Sequence, residues 1–208
     1  MPVDGPQYPV NLLLDGRACL VVGGGAVASR KVEGLLDAGG RVRVVATEVR
    51  AGVRALGVPF EQRPYRSGDL DGVWLAIAAT DDPAVNASVR ADGDVARVWV
   101  NAADDPVSCS FTLPAVVRQG PVTVTVGTGG HSPALAAWLK SHVAAEMGPE
   151  IAALAELLSE ARLEVRENGG STEEIDWRPA LDWDMLALIR TGNLARARER
   201  VQACLSSS

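Results

Sequence analysis

The stretch that decides the fold is residues 18–38, ACLVVGGGAVASRKVEGLLDA. Its apolar start, Ala18–Val22, is typical of a buried strand, and the apolar positions after the glycines recur at helical spacing. Gly23, Gly25 and Ala28 match the spacing GxGxxA, which binds a dinucleotide pyrophosphate when a strand precedes it and a helix follows. The sequence therefore predicts a dinucleotide site, with a tight turn that binds nothing as the alternative.

Short apolar runs alternate with amphipathic stretches through the first hundred residues. This rhythm is typical of a parallel sheet covered by helices, so it predicts a Rossmann-like α/β domain. Further strands are predicted at residues 42–46, 60–63, 73–78 and 98–101, and helices at residues 27–38, 49–56 and 85–91.

The pattern changes after residue 104. Two strands, residues 111–117 and 122–126, are joined by a turn. Three long helical patterns follow, at residues 134–147, 150–166 and 183–205. We therefore predict a Rossmann domain at residues 1–113, a small α+β dimerisation region at 114–147 and a C-terminal helical domain at 148–208.

The composition excludes several classes of protein. A chain of 208 residues with 47% hydrophobic residues can bury a core, so it is not disordered. Its formal net charge of -6 argues against general nucleic-acid binding. No span of membrane length and no secretory signal are visible, so we expect a cytoplasmic protein. Cys19, Cys109 and Cys204 lack disulfide or zinc spacing and are expected to be reduced.

The end of the second predicted strand bears on the choice of cofactor. Glu48 lies near the position where an acidic residue accepts hydrogen bonds from the adenosine ribose, which favours NAD over NADP. Arg43 and Arg50 flank this position, and either would meet a 2'-phosphate if it turned inward. Asp81 or Asp82 caps the next helix in the alternative interpretation. The residues predicted to bind the cofactor are Gly23, Gly24, Gly25, Ala26, Val27, Ala28, Thr47, Glu48, Ala79, Thr80, Asp81 and Asn101.

Four blocks of sequence together resemble one known family. They are GGGAVASRK at residues 23–31, AATDD at 78–82, NAAD at 101–104 and GGHSPALA at 129–136. Their order and spacing are similar to those of the precorrin-2 dehydrogenase/sirohydrochlorin ferrochelatase family and to the N-terminal half of fused siroheme synthases. The resemblance implies a homodimer that uses NAD to oxidise precorrin-2 to sirohydrochlorin in siroheme synthesis.

The resemblance also implies roles for single residues. Asp104, after a predicted strand, would be the acid/base residue, and the adjacent Asp105 leaves the register open. The residues alone also allow a turn and a helix cap at this point. The predicted substrate-binding segment is Thr128, Gly129, Gly130, His131 and Ser132, and its alternative is a capped helix.

Iron insertion, the second activity of the family, is left open. No His, Cys and carboxylate cluster with ligand spacing is visible, so the sequence predicts no metal site, and ferrous iron would enter only as a substrate. Two other functions compete with the dehydrogenase. One is an NAD(H)-sensing module without turnover, and the other is an NADP-dependent reductase with a Tyr-Lys proton donor. Neither Tyr8 nor Tyr65 is followed by a lysine at helical spacing, which argues against the reductase.

Overall fold

The computed structural model describes residues 6–103, 105 and 109–206. The chain divides into two compact units. The first contains residues 1–113 and 129–132, and the second contains residues 114–128 and 133–208.

The first unit is built on a five-stranded parallel sheet. Its strands are β1 Ala18–Val22, β2 Arg41–Ala46, β3 Phe60–Gln62, β4 Leu75–Ala78 and β5 Trp99–Ala102. Their order across the sheet is β3-β2-β1-β4-β5. Strands β1 and β4 are short apolar runs that are buried on both faces, as is typical of parallel sheets. The order places β1 at the centre, so the turn that follows β1 lies at the middle of the carboxyl edge of the sheet.

Helices connect these strands and cover the sheet. They are α1 Ala26–Asp37, α2 Ala51–Ala55 and α3 Pro83–Ala96, with a 3-10 turn at Ser67–Leu70. One buried cluster contains Val32 of α1 and Val53 of α2, and a second contains Val89 of α3. The sheet therefore separates two hydrophobic layers, which is the Rossmann-like α/β architecture expected from the sequence.

The second unit begins with an antiparallel pair, β6 Ala115–Gln119 and β7 Val122–Val126. Helix α4, Pro133–Glu146, packs on both strands, yet it has no buried residue. Its first two turns, residues 133–139, contain only apolar residues, and Leu135 and Trp138 are exposed.

The remaining helices of this unit pack around their own hydrophobic core, which includes Leu157, Met185 and Val201. The sequence pattern predicted one helix over residues 183–205, and this is wrong. The helix ends after Arg190, and the left-handed Gly192, with φ of 78°, turns the chain before the next helix begins. The helices are α5 Glu150–Glu167, α6 Trp183–Arg190 and α7 Leu194–Ser206, with a 3-10 turn at Arg178–Ala180.

Two other predicted boundaries need correction. Helix α3 is longer than the predicted residues 85–91. It begins at Pro83, where Asp82 caps it by accepting a hydrogen bond from the Ala84 amide at 2.8 Å, and it continues to Ala96, before Arg97 adopts a left-handed φ of 57°. The first strand of the antiparallel pair begins at Ala115 rather than at residue 111. Residues 109–111 instead fold back along β5. No described helix has both the length and the apolar character needed to cross a membrane.

Candidate dinucleotide site

The three glycines after β1 occupy three different environments. A Cβ atom on Gly23 would lie 2.2 Å from the Ala79 carbonyl oxygen, and Gly23 also has a φ of 127°. A Cβ atom on Gly24 would lie 2.0 Å from the Glu48 carbonyl oxygen. Apart from Gly25 itself and its two chain neighbours, none of the residues that the structure describes has an atom within 4 Å of a Cβ built on Gly25. The first two glycines therefore allow the turn to pack against the ends of β4 and β2, and the third leaves open space in front of α1.

The amino end of α1 offers donors to that space. Gly25 is the N-cap residue, no side chain caps the helix, and its first turn contains no acidic residue. The first amides of a helix have no acceptor within the helix and carry partial positive charge. Ala28 is fully buried and lets α1 lie close to the sheet. This arrangement suits the pyrophosphate of a dinucleotide, because the backbone can approach it without obstruction from a Cβ atom.

The turn after β2 is fixed to the glycine loop. The Arg50 amide donates a hydrogen bond to the Gly24 carbonyl oxygen at 3.0 Å, and Val49 is buried. Thr47 and Glu48 are exposed. Glu48 lies 3.8 Å from Arg50, and both side chains are largely in solvent. The turn therefore presents Thr47 and Glu48 at the carboxyl end of β2, where an adenosine ribose lies in this fold class.

A buried asparagine that sequence analysis missed shapes the end of β4. Asn86 of α3 is 5% exposed, and its amide nitrogen donates to the Thr80 carbonyl oxygen at 3.0 Å. Its side-chain oxygen accepts from the Thr80 hydroxyl at 2.8 Å. These bonds hold the segment that contains Ala79 and Thr80. Nothing in the local pattern marks Asn86, because its partner is six residues away in sequence and is reached only through the turn.

The end of β5 is held by a segment that folds back along it. The Asn101 side chain is 7% exposed and donates to the Phe111 carbonyl oxygen at 2.9 Å. The Cys109 thiol lies 3.2 Å from the Ala102 amide and 3.3 Å from the carbonyl oxygens of Ala102 and Asp105. Burial raises the pKa of this thiol, so it stays neutral at pH 7. Asn101 therefore has a structural partner, whereas Asp104 lies outside the described residues.

The predicted substrate segment spans the division between the two units. Gly129–Ser132 belong to the first unit and Thr128 to the second. Gly129 and Gly130 have φ values of 58° and 78°, which favour glycine at both positions, and α4 begins at Pro133 as expected. The role of this segment in substrate binding remains a prediction.

Arginine side chains are well suited to binding the carboxylates of a substrate. Several arginines of the C-terminal unit, however, already form ion pairs within the chain. The paired residues are Arg178 with Asp176, Arg190 with Glu150, Arg198 with Glu160 and Arg200 with Asp182. Among the described residues, no three His, Cys, Asp or Glu side chains are grouped so that they could hold a metal ion.

The chain is similar to one protein family and to several curated proteins. Residues 10–115 match the model of the family described as NAD(P)-binding. The siroheme synthase of Tolumonas auensis is 39% identical over 164 residues, which are 78% of this chain and 35% of that protein. The siroheme synthase of Saccharophagus degradans is 35% identical over 208 residues, 96% of this chain and 45% of that protein. The chain thus spans less than half the length of these curated relatives.

A solved structure is similar over nearly the whole chain. It is SirC, a precorrin-2 dehydrogenase, with a TM-score of 0.70 and 26% sequence identity. The match covers 96% of this chain and 100% of that one.

Proposed function

We propose that this chain, which belongs to the NAD(P)-binding family, is an NAD-dependent dehydrogenase. Its reaction would be the oxidation of precorrin-2 to sirohydrochlorin in siroheme synthesis. The observation that carries the proposal is the open space at Gly25 before an uncapped helix, within a chain similar over 96% of its length to a precorrin-2 dehydrogenase. The siroheme synthase relatives support the same pathway.

We assign the cofactor-binding residues by their places along the carboxyl edge of the sheet. The amides at the start of α1 would bind the pyrophosphate, and Glu48 would accept hydrogen bonds from the adenosine ribose. Ala79 and Thr80, held by Asn86, would line the neighbouring part of the cofactor. When bound, NAD⁺ supplies the acceptor for the hydride that leaves precorrin-2.

Loss of a hydride must be accompanied by loss of a proton from the substrate, so that the products are sirohydrochlorin, NADH and one proton. We assign Asp104 as the base that takes this proton. In the sequence it comes two residues after the end of β5 at Ala102, and ligands bind beyond the carboxyl ends of the strands in open α/β folds. A general base contributes about a hundredfold to ten-thousandfold to the rate.

The proposal also includes a homodimer formed through residues 114–147, and it places the protein in the cytoplasm. A two-stranded sheet such as β6-β7 is marginally stable alone, and its outer edges carry backbone groups able to pair with another strand. A helical segment that is apolar all round, as α4 is over residues 133–139, normally lies buried. A second copy of the chain would cover both features.

An anaerobic assay of the purified protein with precorrin-2 and NAD⁺ tests the reaction. We expect NAD⁺ reduction together with the sirohydrochlorin spectrum. Asp104→Ala should lower kcat by at least about a hundredfold while the Kd for NAD⁺ stays unchanged. Asp105→Ala is the matched control and should retain activity within a few-fold.

Other results of this assay would lead to different conclusions. If Asp105→Ala loses activity and Asp104→Ala keeps it, the base is Asp105. If the wild-type protein binds NAD⁺ but never reduces it, the dehydrogenase proposal is wrong and the NAD(H)-sensing module takes its place. The reductase alternative has less support, because the Tyr65 hydroxyl donates to Asp92 at 3.0 Å and burial raises its pKa. Ferrous iron added to the same assay measures chelation, the second activity of the resembled family.

A further inference from the structure

One side chain of α3 forms hydrogen bonds with every polar group of the residue that lies two positions after β4. Asn86 lies on the first turn of α3 and is 5% exposed. Its side-chain oxygen accepts hydrogen bonds from the Thr80 amide at 3.3 Å and from the Thr80 hydroxyl at 2.8 Å. Its side-chain nitrogen donates to the Thr80 carbonyl oxygen at 3.0 Å. Asn86 therefore holds both the backbone and the side chain of Thr80.

These partners fix the orientation of the Asn86 amide group. The oxygen of a side-chain amide only accepts hydrogen bonds, and its nitrogen only donates them. Reversal of the group would bring two carbonyl oxygens together and would place its nitrogen against the Thr80 amide. Because the site is buried, each mismatch would leave a polar group without a partner. The position therefore requires one acceptor and one donor side by side, and asparagine supplies both.

The peptide that this amide holds also contacts the glycine turn. A Cβ atom on Gly23 would lie 2.2 Å from the Ala79 carbonyl oxygen and 3.3 Å from the Thr80 amide nitrogen. The Ala79 amide donates to the carbonyl oxygen of Val22, the residue before that glycine, at 2.7 Å. The peptide between Ala79 and Thr80 thus contacts both α3 and the glycine turn. A shift of this peptide would displace Gly23, two residues before the open space at Gly25.

The Thr80 hydroxyl is used within its own segment of the chain. It lies 2.8 Å from the Asn86 side-chain oxygen and 3.0 Å from the Asp82 carbonyl oxygen, and it accepts a hydrogen bond from the Asp82 amide at 3.2 Å. A hydroxyl has one proton to donate, and both of these oxygens compete for it. The side chain of Thr80 is therefore used to shape the segment, and its backbone remains for contact with a cofactor.

We propose that Asn86 is a positioning residue for the dinucleotide, which acts through Thr80 and not by contact with the cofactor. It fixes the peptide between Ala79 and Thr80, and through this peptide it keeps the glycine turn in the conformation that binds the pyrophosphate. The inference rests on the proposed cofactor site. It differs from a purely structural role because the affinity for NAD⁺ must follow the hydrogen bonds of this one side chain and not the stability of the protein.

Calorimetry of NAD⁺ binding tests the role without any tetrapyrrole. In Asn86→Ala the Kd for NAD⁺ should rise about tenfold, because the three groups of Thr80 lose their partner. Asn86→Asp has nearly the same shape as the wild-type side chain. When this carboxyl group is ionised, one of its oxygens faces the Thr80 carbonyl oxygen and repels it. When it is protonated, it again offers one acceptor and one donor.

The pH dependence of Asn86→Asp separates positioning from a structural role. Burial favours the protonated form of the new carboxyl group, and the carboxylates of Asp81 and Asp82 nearby in the chain oppose a further negative charge. Relative to wild type at the same pH, we expect the Kd of this variant to be about tenfold higher at about pH 8. The ratio should fall to about threefold or less at about pH 5. The ratio for Asn86→Ala should be the same at both pH values.

Val89→Ala is the matched control. Val89 lies on the same helix and is fully buried, so its truncation destabilises the core but leaves the bonds to Thr80 in place. Its Kd for NAD⁺ should stay within about twofold of the wild-type value.

Three results would contradict the positioning role. They are wild-type affinity in Asn86→Ala, equal weakening of NAD⁺ binding in Val89→Ala, and a Kd ratio of Asn86→Asp that does not depend on pH. If Asn86→Ala does not fold, the pH dependence of Asn86→Asp decides. A wild-type protein that does not bind NAD⁺ would overturn the cofactor site itself, which is a different result from wild-type binding that is insensitive to Asn86.

Discussion

A substitution at Gly25 can weaken the binding of NAD⁺ while the protein still folds. Its φ of -87° suits any amino acid, and a Cβ there meets no atom within 4 Å, so Gly25→Ala should fold. The methyl group would occupy the space that the pyrophosphate needs. We expect the Kd for NAD⁺ to rise at least about tenfold, while the loss of a good N-cap residue costs under about 1 kcal/mol of stability. Calorimetry and thermal unfolding measure the two effects.

Gly34 provides the control for this substitution. It lies in the same helix and is exposed, and a Cβ atom placed on it would also meet no atom within 4 Å. Gly34→Ala should leave NAD⁺ binding unchanged and raise stability by about 0.5–1 kcal/mol, because alanine is the better helix former. Equal effects of the two substitutions on the Kd for NAD⁺ would contradict a pyrophosphate-binding site at Gly25.

At the scale of single residues, the spacing of Gly23, Gly25 and Ala28 was sufficient to predict the glycine turn. It could not predict which glycine faces backbone and which faces open space, because the carbonyl oxygens of Ala79 and Glu48 arrive from distant strands. The support of Thr80 by Asn86 was missed for the same reason. Asp104 remains a prediction from the resemblance.

At the scale of elements, a buried carboxylate joins the 3-10 turn Ser67–Leu70 to the strands beside it. Asp69 is 6% exposed and accepts hydrogen bonds from Arg63 and from the Arg66 amide. The bonds from Arg63 are the main reason that the pKa of Asp69 is lowered. Because the folded pKa lies below the unfolded value, the stabilisation is complete above the unfolded pKa of about 3.9 and is lost as pH falls through the folded pKa.

Asp69→Asn should therefore lower the free energy of unfolding at pH 7 by about 1.5–2 kcal/mol, since it removes the charge-assisted bonds from Arg63, which keeps Glu61 as a partner. The difference from wild type should shrink as the pH falls below about 4. Urea unfolding between pH 3 and 7 measures it. Asp71→Asn, an exposed change at the end of the same turn, should stay within about 0.5 kcal/mol of wild type. A difference that is independent of pH would contradict the ion pair as its cause.

The positions of β1, β2 and β4 were predictable because their apolar residues are bounded by turn residues, whereas the edge strand β3 has the sequence Phe-Glu-Gln and no buried residue. The break between α6 and α7 was not recognised, although Gly192 follows a basic last turn and is a common signal for a helix end. The apolar periodicity continues across the break, since both helices face one core, and it concealed the turn.

At the scale of the whole molecule, the exposed apolar helix α4 predicts self-association. We expect the wild-type protein to be a dimer by light scattering. Trp138→Glu should shift it toward the monomer, because it places a charge on a helix that the proposed interface buries. Trp183→Glu changes another exposed tryptophan, on α6, and should leave the dimer intact. A monomeric wild type, or dissociation by both variants, would contradict an interface at residues 114–147.

The central place of β1 has a consequence for synthesis on the ribosome. β1 is made first, but it needs β2 on one side and β4 on the other. A nascent chain that has reached only β3 can form half of the sheet, with one edge of β1 unpaired. That edge is the apolar run Ala18–Val22, a ready template for pairing with another chain. The interval between emergence of residue 62 and of residue 78 is therefore the period in which the growing chain most needs protection from aggregation.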